Sequence, residues 1–322
     1  MRMLITGGAG FLGSFLVKRL LENGHDVAVV DLPKKILEGR LDDLRDNPKL
    51  DIYPGSIVDK DLMDKLIWQC DKVFHFAAVV GVSHYVEDPY SVLTVNVNAT
   101  QMILELVLKY GKKVILASTS EVYGKSLKVP FNEGDDRVLG STSVDRWSYS
   151  SSKGIGEHFC FALRHKGLNF VILRFFNAYG PGLDSIESGR VLSLFIGKCL
   201  KGEPLLIHGD GQQTRCFTYV SDTIDGIVKA SEVPEAEGEI FNIGTNVETS
   251  VLELANLTCK IYGIEPNLEF IKHSEDYGVS YEDIARRVPC VKKAQRILGY
   301  SAKIPLDEGL GYTIDAFKKD WK

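Results

Sequence analysis

The sequence predicts an α/β protein, a doubly wound parallel sheet with a smaller α/β lobe, and three observations predict it. Short apolar runs alternate with longer stretches of helical periodicity from residue 2 to residue 175. The first two runs enclose a glycine-rich turn, Gly7-Gly8-Ala9-Gly10-Phe11-Leu12-Gly13. After Arg174 the texture changes to shorter, loop-rich segments that interleave a second lobe with returns to the main sheet.

Residues 2–6 read as a buried strand, and Phe15, Leu16, Leu20 and Leu21 give the helix after the glycines its apolar face. Asn23-Gly24 stops that helix, and Val27-Ala28-Val29-Val30-Asp31 is the second strand. In such a βαβ unit the glycines let the backbone approach a pyrophosphate. The helix N-terminus adds free N–H groups and a positive dipole. Asp31 follows Gly13 by 18 residues, the distance at which a carboxylate accepts from both ribose hydroxyls. It also repels a 2′-phosphate, so the unit is a Rossmann-type site that selects NAD over NADP.

The alternation continues with a strand at 51–54, a helix at 59–69 and a strand at 72–78. A long helix at 91–110, a strand at 113–118, a helix at 148–166 and a strand at 169–175 follow. The small residues Ala77 and Ala78 leave room for a cofactor against their strand end. Beyond them, 177–182 is loop, 189–201 helix and 204–208 strand, followed by a hairpin-type turn at Gly209-Asp210-Gly211. Residues 215–220 read as one strand, Ser221-Asp222 as a helix cap, and 239–243 as a return to the sheet. The expected division is a Rossmann domain at 1–176 with returning segments at about 210–245. The substrate-binding lobe then takes 177–209 and 246–322.

A chain of 322 residues suits a large α/β unit plus a smaller lobe. An apolar fraction of 44% with 25% charged residues is that of a soluble globular protein. The net charge of −5, without a block of like charges, argues against nucleic acid or an anionic membrane as the main partner. The six cysteines are scattered without metal-ligand spacing, so reduced thiols and no metal are expected. The apolar N-terminal stretch is too short for a signal peptide and no later stretch reads as long enough to span a bilayer, which makes a cytoplasmic protein the expectation.

Chemistry concentrates in two stretches, Ala117 to Gly124 and Trp147 to Lys153. Tyr149 and Lys153 stand four apart on a predicted helix, hence on one face. A phenol is a poor base at neutral pH, but an adjacent ammonium and a nicotinamide cation favour the phenolate. Lys153 also reaches a nicotinamide ribose hydroxyl, and Thr119, at a strand end, shares the hydrogen bond to the reacting carbinol.

With these residues in place, the chain resembles the extended short-chain dehydrogenase/reductase family that modifies nucleotide sugars. The resemblance runs over nearly the whole chain: Thr6 to Gly13, Phe74-His75-Phe76-Ala77-Ala78, Asn96, Ser118 to Gly124, Tyr149-x-x-x-Lys153, Arg174 to Pro181, Gly209-Asp210-Gly211 with Arg215, and Phe241-Asn242-Ile243-Gly244. It implies tightly held NAD, oxidation at sugar C4, a second step on the 4-keto intermediate and return of the hydride. The cofactor contacts it implies are Gly7, Gly10, Phe11, Leu12, Gly13, Asp31, Ser56, Ile57, Ala77, Ala78, Asn96, Ser118, Tyr149 and Lys153. For a UDP-sugar it implies His84, Asn177, Arg190, Val191, Leu206, Arg215 and Arg287, the arginines serving diphosphate or sugar and the segment around Leu206 the uracil. A homodimer through a four-helix interface, built from helices 91–110 and 149–166, is implied likewise.

Glu121 lies where simple hexose 4-epimerases usually lack a carboxylate, and Thr119-Ser120-Glu121-Val122-Tyr123-Gly124 is similar to UDP-glucuronate decarboxylases. A 4-keto group makes a C5 carboxylate a β-keto acid, so acid/base groups such as Glu121 and a cation such as Arg215 suit its loss. The expectation is a UDP-glucuronate decarboxylase with Thr119, Glu121, Tyr149 and Lys153 as catalytic residues. A UDP-glucose or UDP-glucuronate 4-epimerase is the alternative, ahead of a 4,6-dehydratase and a catalytically silent dinucleotide-binding protein.

Overall fold

The computed structural model describes residues 1–81, 87–187, 189–271 and 284–320. The alternating half contains β1 (Arg2–Thr6), α1 (Phe11–Glu22), β2 (Asp26–Asp31), β3 (Leu50–Pro54), α2 (Lys60–Gln69), β4 (Lys72–His75), α3 (Pro89–Lys109), β5 (Lys113–Thr119), α4 (Arg146–Arg164) and β6 (Asn169–Phe175). Then come β7 (Ala178–Tyr179), α5 (Val191–Lys201), β8 (Leu205–His208), β9 (Thr214–Arg215), β10 (Thr218–Tyr219), α6 (Val220–Glu232) and β11 (Glu239–Ile243). The last elements are β12 (Thr249–Ser250), α7 (Val251–Tyr262), β13 (Leu268–Ile271), β14 (Arg286–Arg287), α8 (Lys292–Leu298) and α9 (Leu306–Asp320).

Seven strands form one sheet in the order β11-β6-β5-β4-β1-β2-β3, every adjacent pair parallel. Because side chains alternate faces along a strand, Met3 and Ile5 pack toward α1 and α6, whereas Leu4 packs toward α2, α3 and α4. Each face is covered, which is why the central strands read as continuous apolar runs. Strand order reverses between β1 and β4, and the crevice beyond their carboxyl ends is where such sheets bind ligands.

The smaller lobe has its own core, in which Tyr179, Leu192, Ile196, Leu205, Leu254 and Ile314 meet. The expected boundaries are crossed in both directions. Phe217, from a returning segment, packs in the lobe, and Ala294, Leu298 and Tyr300 pack on the main sheet.

Four expectations are corrected. Gly209 and Gly211 do turn the chain with positive φ, but no hairpin results, because β8 pairs with β13 and β9 pairs with β12 and β14. A Cβ on Gly211 would meet Ile207 and Leu252, so the turn is packed against α7. The strand expected at 215–220 is two short strands in different sheets, β9 and β10. Asp222 does not cap α6, whose N-cap is Tyr219; its buried carboxylate accepts from the backbone N–H groups of Lys303 and Ile304, both at 2.8 Å. Finally, α3, with 21 residues, is long and apolar enough to cross a membrane by length and composition. Its Ile103, Leu104 and Val107 are instead fully buried in the core beneath the sheet.

Candidate active site

The carboxyl ends of β1 and β4 are locked together before any side chain faces the crevice. Thr6 Oγ1 accepts from the N–H groups of Phe76 and Ala77, both at 3.1 Å, and contacts His75 Nδ1 at 2.9 Å. The turn after β1 has no room for side chains: a Cβ on Gly7, where φ is +74°, would lie 2.7 Å from the Ala77 nitrogen. One on Gly13 would lie 2.1 Å from the Gly7 oxygen. No side chain caps α1 and its first turn carries no acid, which leaves a positive helix terminus facing the crevice. Asp31 ends β2 with Oδ2 accepting from Ala9 N at 3.0 Å and Oδ1 from Leu32 N at 2.8 Å. Burial pushes its carboxyl above the usual range while those two bonds act the other way. A backbone cradle, a free helix end and a fixed carboxylate fit a dinucleotide with unmodified ribose.

Two of the expected cofactor residues have their polar groups committed elsewhere. Asn96 lies in a π-helical segment of α3, Val95–Ala99. Its amide bonds both the N–H and the carbonyl of Val79 (2.8 and 3.0 Å) and Ser152 Oγ at 3.3 Å, so it pins the loop after β4. The buried Ser118 hydroxyl donates to Glu157. Ile57 is buried and Ser56 half-buried just beyond β3, and Ala77 and Ala78 follow β4.

β5 ends at Thr119 and passes into a short 3-10 turn, Ser120–Tyr123. Opposite it, α4 carries Tyr149, Lys153 and Glu157 one turn apart, all nearly buried. Thr119 hydrogen-bonds Tyr149 and also accepts from Glu121 N at 3.2 Å. Lys153 Nζ donates to the Ala117 carbonyl at 2.9 Å. Burial lowers its ammonium to about 8, against the pull of Glu157. Burial and the charge of Glu121 push the Tyr149 phenol above its ordinary value, while Arg190 and the Thr119 hydrogen bond oppose them. This direction is contrary to the one expected from a neighbouring ammonium, because burial and the Glu121 charge outweigh the groups that favour the phenolate.

Beyond Tyr149 lies a cluster of opposed charges. Arg287 Nη1 meets Glu121 Oε1 at 2.7 Å, and Arg146 Nη2 meets Oε2 at 3.3 Å. Burial opposes a charge on Glu121, but Arg287, Arg146 and Arg215 overcome it and hold its carboxyl at about 2. Arg215 and Arg287 are register partners on β9 and β14, which is how residues 72 apart in the chain present cations together. Arg287 is 5% exposed, and among the described residues its Nε has no hydrogen-bond partner. The same is true of the buried Nδ2 of Asn177. Such orphaned donors are costly unless a ligand meets them. Arg190 lies farther out, doubly bonded by Asp184 at 2.7 and 3.0 Å and 6.0 Å from the Phe11 ring. Val191 begins α5 and Leu206 lies half-buried on β8. His84 lies outside the described residues.

Sequence reasoning missed Arg146 as a partner of Glu121. Its position three residues before Tyr149 puts it on the same helical face, and that spacing was the available signal. It also missed the buried pair in which Glu157 accepts from Arg174 at 2.9 and 2.6 Å. Among the described residues no group of three or more His, Cys, Asp or Glu side chains is placed to hold a metal.

A dinucleotide crevice opening onto a Thr–Tyr–Lys cluster defines a nicotinamide-dependent enzyme of the short-chain dehydrogenase/reductase type. The NAD dependent epimerase/dehydratase family matches residues 3–244, and the chain belongs to that family. It is 40% identical over 318 residues to the UDP-N-acetyl-alpha-D-glucosaminuronate decarboxylase of Bacillus cytotoxicus, covering 99% of this chain and 98% of that protein. It is 33% identical to UDP-glucuronic acid decarboxylase 1 of Xenopus tropicalis, covering 99% of this chain and 72% of the relative. The fold matches UDP-glucose 4-epimerase of Thermotoga maritima, solved with UDP-glucose, with TM-score 0.88, 32% identity and all of both chains covered. It also matches UDP-glucuronic acid 4-epimerase of Bacillus cereus, solved with UDP-glucuronic acid and NAD, with TM-score 0.87, 32% identity and 99% of each chain covered. The protein is an NAD-dependent enzyme acting on nucleotide sugars.

Proposed function

We propose that the chain decarboxylates a UDP-hexuronate. Tyr149, as phenolate, takes the proton of the C4 hydroxyl, with Thr119 sharing the hydrogen bond and Lys153 holding the nicotinamide ribose. When bound, NAD supplies the hydride acceptor for C4 and the hydride for the later reduction. The 4-keto group lets the C5–C6 bond break with its electron pair passing into an enolate. Carbon dioxide leaves and C5 takes a proton from solvent, the one that loss of carbon dioxide from a carboxylate consumes, while the proton on Tyr149 is kept for the C4 oxygen. Thr119 and Tyr149 hydrogen-bond the enolate oxygen, and Arg287 orients the carboxylate before it departs. Glu121, held ionised by Arg287 and Arg146, anchors those cations and disfavours a second carboxylate beside it, which promotes departure. Asp31 and the α1 terminus hold the cofactor, and Asn177, Arg190, Val191, Leu206 and Arg215 serve the nucleotide sugar.

The observation that carries this reading is Arg287, buried on Glu121 with its Nε left over for an anion. The relative at 40% identity, itself a decarboxylase of an N-acetylated uronate, supports it. UDP-glucuronate 4-epimerisation is the second reading, favoured by the fold match to the Bacillus cereus epimerase. Incubation with UDP-glucuronate and with UDP-N-acetylglucosaminuronate, followed by mass spectrometry, separates them. Loss of the mass of carbon dioxide is expected; an unchanged mass with a new stereoisomer would establish epimerisation.

We also infer a cytoplasmic homodimer. Tyr90 and Leu93 on α3 and Phe161 on α4 are exposed on two helices that pack side by side, the apolar surface that a second copy would cover. The substrate-binding lobe is assigned to 177–209 and 246–322, less the 292–300 segment that packs on the main sheet.

A further inference from the structure

We infer that Asn242 is a positioning residue for the second chemical step, the clasp that holds the strand of Arg287 against the turn of Glu121; this rests on the decarboxylation reading above. Asn242 is fully buried in β11, far in sequence from both. Its Oδ1 accepts from the Tyr123 hydroxyl at 2.7 Å, and Tyr123 belongs to the same 3-10 turn as Glu121. Its Nδ2 donates to the carbonyls of Phe131, at 2.9 Å, and Cys290, at 3.3 Å. Cys290 lies three residues past Arg287.

Phe131 closes the arrangement. Its N–H donates to Val288 O and its carbonyl accepts from Cys290 N, both at 2.8 Å, so it pairs with the segment following Arg287. Its ring stacks on Tyr123 with centroids 4.7 Å apart. The Asn242 backbone N–H donates to Glu133 Oε1 at 3.0 Å, fixing the same loop once more. One amide thus spends its acceptor on the Glu121 turn, and its Nδ2 bridges the Phe131 loop and the segment that follows Arg287. A buried amide so engaged sets the distance between two segments, because a shift of either breaks a bond that no solvent replaces. The hydrogen bonds of its amide go to neither Thr119 nor Lys153; its link to the oxidation machinery runs through the Glu121 turn, where Glu121 N donates to Thr119, so C4 oxidation responds less than the second step.

Asn242→Asp keeps the shape and replaces the donors with a carboxylate facing two carbonyl oxygens. In single turnovers of the NAD-loaded enzyme on UDP-glucuronate, NADH appearance should stay within about twofold of wild type. NADH decay and carbon dioxide release should slow about tenfold or more, the scale expected when a reacting group is misplaced by a fraction of an ångström. Equal loss of both phases, or no change in either, overturns the assignment. Should this variant fail to fold, Tyr123→Phe removes the hydroxyl that fixes the amide and that also hydrogen-bonds Arg174, and a split of about threefold in the same direction is expected; an unaltered split then overturns it. A wild type inert on uronates but active on UDP-glucose would sink the decarboxylation reading. The Asn242 assignment would then stand or fall on the same split between NADH formation and hydride return with UDP-glucose.

Discussion

At the scale of single residues, the site is governed by burial set against charge. Tyr149 is 8% exposed and its phenol is held above its ordinary value, so proton abstraction depends on the cofactor and substrate that complete the pocket. Tyr149→Phe should lower turnover by about 10²–10⁴-fold while NAD remains bound, measured by product formation and by cofactor content of the purified variant. Retained activity would remove Tyr149 from its role. Glu121 is the opposite case, a carboxyl kept at about 2 because three arginines outweigh its burial. Its folded value lies below that of a free carboxyl, so its stabilising contribution is complete at neutral pH. That contribution is lost as pH falls from about 4 toward about 2. The difference in melting temperature between wild type and Glu121→Gln should therefore shrink across that acid window; a constant difference down to about pH 3 would show that the ion pair is not its source.

At the scale of elements, the proposed cofactor site rests on the junction of β1, α1 and β4 more than on any side chain. The obstacle to a Cβ on Gly13 is backbone, the Gly7 oxygen and Gly8 Cα, and neither yields as a flexible side chain would. Gly13→Ala should destabilise the fold by about 1–3 kcal/mol and abolish NAD retention, read by thermal melting and by cofactor content. An alanine variant that keeps NAD would show that the turn relaxes. At the proposed sugar site, short strands matter more than helices: β9 and β14, two residues each, bring Arg215 and Arg287 into register.

At the scale of the molecule, the two cores share Phe11 and Tyr219 at their edges, and the exposed apolar residues of α3 and α4 are the basis of the proposed dimer. Leu93→Glu combined with Phe161→Glu should convert a dimer to a monomer in analytical ultracentrifugation while NAD binding persists. Leu93 is 38% exposed; Phe161 is 36% exposed but its ring meets the buried Phe170, so Leu93→Glu alone serves as the control for a change in folding. A wild type that sediments as a monomer would end the dimer proposal.

The sequence by itself determined the seven-stranded alternation, the glycine turn with Asp31 at the end of the second strand, and the one-turn spacing of Tyr149 and Lys153. Each of these is a local property: strand period, helix period and a glycine turn are written in neighbouring residues. The hairpin expected at Gly209 to Gly211 failed because pairing partners are chosen by packing, and β8 found β13 across the chain. Tertiary structure alone decided that Glu121 meets Arg287 and Arg146, and that Asn242 ties their segments together. Those contacts join positions up to 166 residues apart, where no periodicity links one side chain to another. They form because a charge or an amide buried at the carboxyl end of the sheet must find its partner there, whatever its place in the sequence.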